Sequence, residues 1–359
     1  MSMVESNQYM NKKNALRDLT DEDFEVLVPQ LAKTLQDDGF IYNTSTNEEM
    51  LKDWNSLCKK KVELHHDNDN ENSIIIVPAT CTIGMKLMRH FMPHFYAVTN
   101  YKGVSVLSLW KKEHLEKALR FNRKYHSTPY VSEIIRSLSF TNGLGSVTMY
   151  RPLMAKTVVS RLGAKSVLDV CAGWGGRMLG SIAAGNDVTY TGIEPCTATY
   201  NGLCGIRELL SLDQRVTLLK GAAEQVLKTL PSDQKFDIAL TSPPYYNLEI
   251  YDDCIGDNAK ENGQSMQYES YEMWITLFLE PVICEVLKRV KYSCWSVKNF
   301  KTDKKYNLMT DVVQIHEKYG WKMLPYNFAV KNSKRPGASS GGVKAGTEEV
   351  TYAFVCLCF

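Results

Sequence analysis

Ser166-Val167-Leu168-Asp169-Val170-Cys171-Ala172-Gly173-Trp174-Gly175-Gly176-Arg177 is the stretch on which the reading of this chain turns. Ser166–Val170 is a short, bounded apolar run, the pattern of a buried strand. It passes into a turn with glycines at 173, 175 and 176, and Met178–Ala184 then continues with helical spacing. Strand, glycine turn and helix form a nucleotide-binding unit, because glycine lets the backbone approach a ligand and the helix opens its N–H groups toward it. The spacing departs from G-x-G-x-x-G, with Gly180 further on, and a glycine turn alone is a weak signal. A side chain added at Gly175 is expected to stand in the ligand's approach.

Working outward, Val188–Pro195 reads as a strand that closes on Glu194, about 25 residues after Asp169. Such folds place a carboxylate for ribose hydroxyls at that distance; the plain alternative is a solvated loop acid. A further strand, Phe236–Leu240, runs directly into Thr241-Ser242-Pro243-Pro244-Tyr245-Tyr246. Proline cannot donate to a sheet ladder, so both prolines must lie beyond the strand's end. Ligands of open α/β sheets bind outside those carboxyl ends. The diproline fixes successive φ angles, so the Ser242 side chain, the neighbouring carbonyls and the Tyr245 ring converge on one small planar group. Ser-Pro-Pro also occurs in surface turns, and that reading stands beside the first.

In this order, Asp169, then Gly173-Trp174-Gly175-Gly176, then Glu194, then Thr241-Ser242-Pro243-Pro244-Tyr245, the chain resembles the S-adenosylmethionine-dependent amino-methyltransferases of DNA. The resemblance covers residues 140–325 and rests on the combination of motifs. It implies an α/β, Rossmann-like class I methyltransferase fold with a mostly parallel sheet and a closing antiparallel strand. It also implies S-adenosyl-L-methionine as cofactor and methyl transfer to cytosine N4 or adenine N6. Members of the family carry [Asp/Asn/Ser]-Pro-Pro-[Tyr/Phe/Trp], so Ser242, Pro243, Pro244 and Tyr245 become the implied catalytic residues. Tyr150, Asp169, Cys171, Ala172, Gly173, Trp174, Gly175, Glu194, Glu224 and Thr241 become implied cofactor contacts. The segment Ser146–Met154 is similar to the one that enters the fold upstream and touches the cofactor's methionine end. Ser242 is the residue type common in cytosine-N4 members, which places cytosine slightly ahead of adenine. The cofactor motif precedes the catalytic one, which matches the permutations with that order.

The chemistry stands without the family. An aromatic amine is a poor nucleophile, and acceptors such as Ser242 Oγ and the Pro243 carbonyl draw it toward a tetrahedral geometry. Serine is a neutral residue and no strong base at pH 7, so the proton is expected to leave after methyl transfer. A base in a duplex must be flipped out and stacked on an aromatic ring; Tyr245 is the first candidate and Tyr246 the second, with core packing the alternative for Tyr246. Glu249 and Tyr251, in the polar insertion after the motif, are candidate substrate contacts at the pocket mouth.

Composition sets bounds. The chain has 359 residues, 44% of them apolar, 23% charged and 10% aromatic, which suits a soluble globular protein with one large domain plus appendages. No long apolar run predicts a membrane span, and the amino-terminal residues lack a secretory pattern, so a cytoplasmic or nucleoid-associated protein is expected. The ten cysteines show no Cys-x-x-Cys pair, which favours reduced thiols over disulfides or zinc. The run His65–Asn72 reads as a hydrophilic loop, with no metal expected. A net charge of +2 excludes a general polyanion binder, so DNA, the expected partner, must meet local basic segments. One is the glycine-rich stretch Lys331–Lys344, in which Lys334 and Arg335 are candidate substrate contacts. The other is Trp110–His126, whose basic residues otherwise form a solvated helix face.

Residues 1–140 read as an accessory or target-recognition region, with helical patterns at Asp23–Leu35 and 132–138 and strands at Ser73–Val77 and Val104–Leu109. Residues 141–359 read as the catalytic domain, with strands near 166–170, 188–193, 216–219, 236–240 and 293–298, a helix at Tyr271–Val290 and a last antiparallel strand at Glu349–Leu357. An RNA adenine-N6 methyltransferase, an inactive methyltransferase-like nucleic-acid-binding protein and a nicotinamide dehydrogenase are the competing readings. The dehydrogenase would want a tighter G-x-G-x-x-G and gives no reason for the diproline. A restriction partner fits the DNA reading.

Overall fold

The computed structural model describes residues 9–42, 44–62, 65–67, 73–78, 82–125, 128–142, 144, 148–251, 268–331 and 347–356. In chain order its elements are α1 (Asp21–Asp37), α2 (Asn47–Lys59), β1 (His65–Asp67), β2 (Ser73–Pro78), α3 (Met85–Phe91), α4 (Lys112–Tyr125), α5 (Val131–Thr141), α6 (Pro152–Leu162), β3 (Ser166–Asp169), α7 (Gly176–Ala183), β4 (Thr189–Glu194), α8 (Thr197–Leu209), β5 (Val216–Lys220), α9 (Ala223–Thr229) and β6 (Phe236–Thr241). There follow α10 (271–287), β7 (Val290–Val297), the hairpin β8 (Phe300–Lys301) and β9 (Lys305–Tyr306), α11 (Leu308–Lys318), β10 (Trp321–Met323), β11 (Tyr326–Lys331) and β12 (Thr347–Cys356).

Ten strands form one sheet in the order β1-β2-β11-β12-β7-β6-β3-β4-β5, with β10 on β12. Strands β3 to β7 are all parallel neighbours in that order. Strand β12 enters antiparallel between β7 and β11 and closes the sheet. This is the expected Rossmann-like class I methyltransferase architecture. Burial explains it: β3 is buried from Val167 to Asp169 and β6 from Ile238 to Thr241, as central parallel strands covered on both faces must be.

The chain divides into two compact units. The larger comprises 44–92, 149–334 and 340–359, the smaller 1–43, 93–148 and 335–339. The boundary between the units therefore does not fall at residue 140: 44–92 belongs with the larger unit, where β2 extends the sheet parallel to β11. Lys156 of α6 shows how firmly that segment is attached. Its buried ammonium donates to the Leu57, Cys58 and Lys60 carbonyls, each at 2.8 Å, capping the C-terminus of α2.

In the smaller unit α1, α4 and α5 bury Phe24, Leu31, Leu115, Leu119, Ile134 and Leu138 against one another. Two basic residues of the 110–126 segment are committed there: Arg120 pairs with Glu25 and Glu116, and Arg123 pairs with Asp21 and donates to the Leu16 and Leu19 carbonyls. The expected strand at Val104–Leu109 is a turn instead, because Ser105 and Ser108 each accept the other's backbone N–H at 3.0 Å and close the segment on itself. His65–Asp67, expected as loop, pairs with β2. The helix expected at Tyr271–Val290 contains a π-helical turn, Ile275–Leu279, and ends at Leu287, before β7 begins. Strands β10 and β11 have no counterpart in the sequence reading.

Candidate functional site

Asp169 ends β3 with no solvent exposure, and four protein groups share its carboxylate. Arg177 Nε at 2.7 Å and the Tyr190 hydroxyl at 2.8 Å donate to Oδ2, while the Thr241 hydroxyl at 2.9 Å and the Cys171 N–H at 3.3 Å donate to Oδ1. Arg177 also donates to the Cys171 carbonyl. One buried carboxylate thus fixes the glycine turn after β3 and the last residue of β6. The Thr241 hydroxyl and the Asp169 carboxylate bond each other and hold the two turns together; both residues were expected as direct cofactor contacts.

Glu194 ends β4 and clamps the same turn from the other side. Gly173 N–H donates to Oε2 and Cys196 N–H to Oε1, both at 2.9 Å. Burial pushes its carboxyl up to about 7, against the pull of those two N–H bonds. A carboxyl whose folded value lies above its unfolded one loses stabilisation as pH rises between the two. Relative to the native chain, Glu194→Gln should therefore gain about 3 kcal/mol between pH 4 and pH 8, read by urea denaturation at each pH. A difference that stays level would show that the fold leaves the Glu194 carboxyl at its unfolded value.

The turn's glycines do different jobs. Gly175, at φ +85°, would point a Cβ at Leu203 Cδ2 (3.1 Å) and Ile206 Cδ1 (3.4 Å) of α8. A side chain here was expected to stand in a ligand's approach; the contacts it would make with the protein are with the core. At Gly173, φ +53°, a Cβ meets nothing nearer than the Cys171 carbonyl at 3.7 Å and Arg177 Nη2 at 3.8 Å. Gly175→Val should cost about 2–4 kcal/mol, left-handed backbone plus overpacking, and Gly173→Ala about 1–2 kcal/mol, backbone alone. Equal losses in denaturant would refute this division. Gly176 serves close packing, since a Cβ there would lie 1.9 Å from the Tyr150 carbonyl. Tyr150 lies beneath the Arg177 guanidinium, 5.3 Å from its ring centroid, and hydrogen-bonds Thr351 of β12. Cys171 is held as the thiol by burial, and Ala172 donates its N–H to the Ile193 carbonyl.

At the end of β6 the regular strand stops at Thr241, ahead of both prolines. Ser242 and Pro244 are half-buried, and Pro243 and Tyr245 are buried. Tyr245 stacks on Phe300 at 5.6 Å and 11°, and Phe300 on Tyr306 at 4.9 Å and 20°. The hairpin β8–β9 therefore covers one face of Tyr245. Tyr246 adopts φ +35°, a left-handed conformation costing about 1–3 kcal/mol for a bulky residue, and its ring meets Tyr271, Trp274 and Tyr306 edge-on or tilted. That is the core-packing alternative for Tyr246. Phe300 and Tyr306 were missed in the sequence; only the aromatic spacing after β7 could have signalled them.

Beyond the motif, the Tyr251 hydroxyl donates to Glu249, and its ring lies 6.1 Å from that of Trp174 in the glycine turn. Burial and the negative charges of Glu249 and Glu194 keep the Tyr251 phenol protonated. Glu224, in the first turn of α9, has its carboxyl raised by burial, and burial together with the Glu224 charge pushes the Tyr268 phenol up to about 12. Lys334 and Arg335 lie outside the described residues. Among the described residues no group of three or more metal-ligating side chains occurs, and no helix is long and apolar enough to cross a membrane.

No protein-family model matches the chain, and no curated protein matches its sequence. Among solved structures it is similar to a putative RNA methyltransferase from Pyrococcus horikoshii, at 13% identity and TM-score 0.35, over 57% of this chain and 83% of that one. It is similar to a putative rRNA-methylase from Clostridium thermocellum, at 10% identity and TM-score 0.36, over 58% and 97%. A magnesium protoporphyrin IX methyltransferase from Synechocystis PCC 6803 with bound SAM follows at 12% identity and TM-score 0.34, over 57% and 79%. Likenesses this distant carry no argument about chemistry, and the fold rests on this chain's own strand order.

Proposed function

We infer that the chain transfers a methyl group from S-adenosyl-L-methionine to the exocyclic amine of a base in DNA, cytosine N4 ahead of adenine N6. The observation that carries this reading is Asp169: the glycine turn and the diproline loop leave adjacent parallel strands and are bonded to the same carboxylate. The residues present fit the cofactor. A Cβ at Gly173 would come no nearer than 3.7 Å to the protein, and each Glu194 oxygen keeps a lone pair for a ribose hydroxyl beyond its backbone bond. Trp174 and Tyr251 offer ring faces for a purine.

When bound, S-adenosyl-L-methionine supplies an electrophilic methyl group on a sulfonium. The chain's residues do the rest. Ser242 Oγ and the Pro243 carbonyl accept the N–H groups of the amine and localise its lone pair. Tyr245, stacked on Phe300, is the ring against which the flipped base packs, and Glu194 accepts the ribose hydroxyls in its ionised form. Cofactor affinity should then fall by up to tenfold per unit as pH drops below about 7.

Genomic DNA from cells expressing the chain, digested and analysed by mass spectrometry, tests the reading. N4-methylcytosine is the expected product. N6-methyladenine alone would overturn the choice of base, methylation confined to RNA would overturn DNA as substrate, and no calorimetric binding of the cofactor would overturn the whole reading.

A further inference from the structure

Serine at position 242 leaves a question open, for a methylated amine must lose a proton and neutral serine cannot take it. Burial first, and then the charges of Glu249, Glu194 and Tyr245, raise the Tyr251 phenol. Its ring also meets Trp174. Tyr251 thus lies beside the glycine turn, six residues after the diproline motif's Tyr245, and its hydroxyl is already aimed at Glu249.

We propose that Tyr251 and Glu249 form a proton relay for the target amine, with the Tyr251 oxygen as acceptor and Glu249 as the final site of the proton. This rests on the methyl-transfer reading above. The amine's lone pair forms the new N–C bond while the C–S bond of the sulfonium breaks and its electrons stay on sulfur. The N–H electrons stay on nitrogen as that proton passes to the Tyr251 oxygen, and Tyr251 passes its own proton to Glu249. The sulfonium's positive charge and Glu249's negative charge disappear together, so no net charge is left in a site where burial makes charge costly. Tyr251 is the catalytic residue of the pair, and Glu249 acts through it.

The test compares wild type with Glu249→Gln, Glu249→Asp and Tyr251→Phe in the full chain, on duplex DNA with saturating S-adenosylmethionine. Saturation matters because burial pushes the Glu194 carboxyl up to about 7, and the reading above gives its ionised form the cofactor's ribose. Wild type should show an acid limb in kcat. Glu249→Gln should lower kcat at least ten-fold and abolish that limb, Tyr251→Phe should lower kcat comparably, and Glu249→Asp should recover part of the rate.

Calorimetry gives a second reading without turnover. Glu249→Gln should weaken the sulfonium S-adenosylmethionine about five-fold more than the neutral thioether S-adenosylhomocysteine, whereas a structural role would shift both equally. An active wild type with Glu249→Gln at full rate, the acid limb intact, overturns the relay and leaves the methyl-transfer reading standing. Equal calorimetric shifts overturn Glu249 as the charged terminus. A wild type that binds no cofactor and methylates nothing overturns both.

Discussion

Replacing Asp169 by alanine should cost about 3–5 kcal/mol of stability, the range for breaking a buried ion pair by removing one partner. The loss is large because Asp169 and Arg177 are both buried, and removal of the carboxylate strands a guanidinium together with the hydroxyls of Tyr190 and Thr241. Against a usual total of about 5–15 kcal/mol, that is a large share of the chain's stability. Asp169→Asn should do little better, since its amide would turn donors toward Arg177 or Thr241. Urea denaturation followed by circular dichroism reads the effect. A cost below about 1 kcal/mol would mean that Arg177 finds another partner and that the two motifs are held together by other bonds.

The second large effect is on turnover. Ser242→Ala should lower kcat about 100-fold with cofactor affinity unchanged, as when one preorganised acceptor is removed from a polar site. Single-turnover kinetics with labelled cofactor, alongside calorimetry, separate the two quantities. Tyr245 needs a different design. Loss of base stacking alone would cost about 1–3 kcal/mol, but Tyr245 is buried against Phe300, so Tyr245→Ala also opens a cavity worth about 3–5 kcal/mol of folding stability. Tyr245→Leu preserves more of that packing, and should raise the KM for DNA while the protein remains folded. Full activity in the Ser242→Ala, Tyr245→Leu double variant would remove this loop from the active site.

Much of the sheet was readable because its strands are short apolar runs ending at recognisable punctuation. Thr241 stops before two prolines, Asp169 before a glycine turn, and Glu194 before Pro195. What the pattern could not show is where side chains point. An acid at the end of a strand suits a ligand and a buried arginine equally, and only the fold brings Arg177, Tyr190 and Thr241 to Asp169. Gly175 looked like a ligand position because a glycine carries no label for what its missing Cβ would touch; α8 supplies the answer from about 30 residues downstream. The membership of 44–92 was hidden for a related reason. Parallel pairing of β2 with β11 joins segments separated by most of the chain, and no local periodicity encodes such a partner.

That pairing has a consequence in time. Ser73 lies opposite Tyr326, so an edge of the sheet cannot form until roughly 250 further residues have been synthesised. Loops of that length close late, and the transient waiting state exposes an unpaired strand edge. Residues 73–78 should accordingly gain amide protection among the last of the sheet in refolding, after β3, β4 and β6 have paired. On the ribosome, the amino-terminal part of the larger unit must emerge first and be completed last.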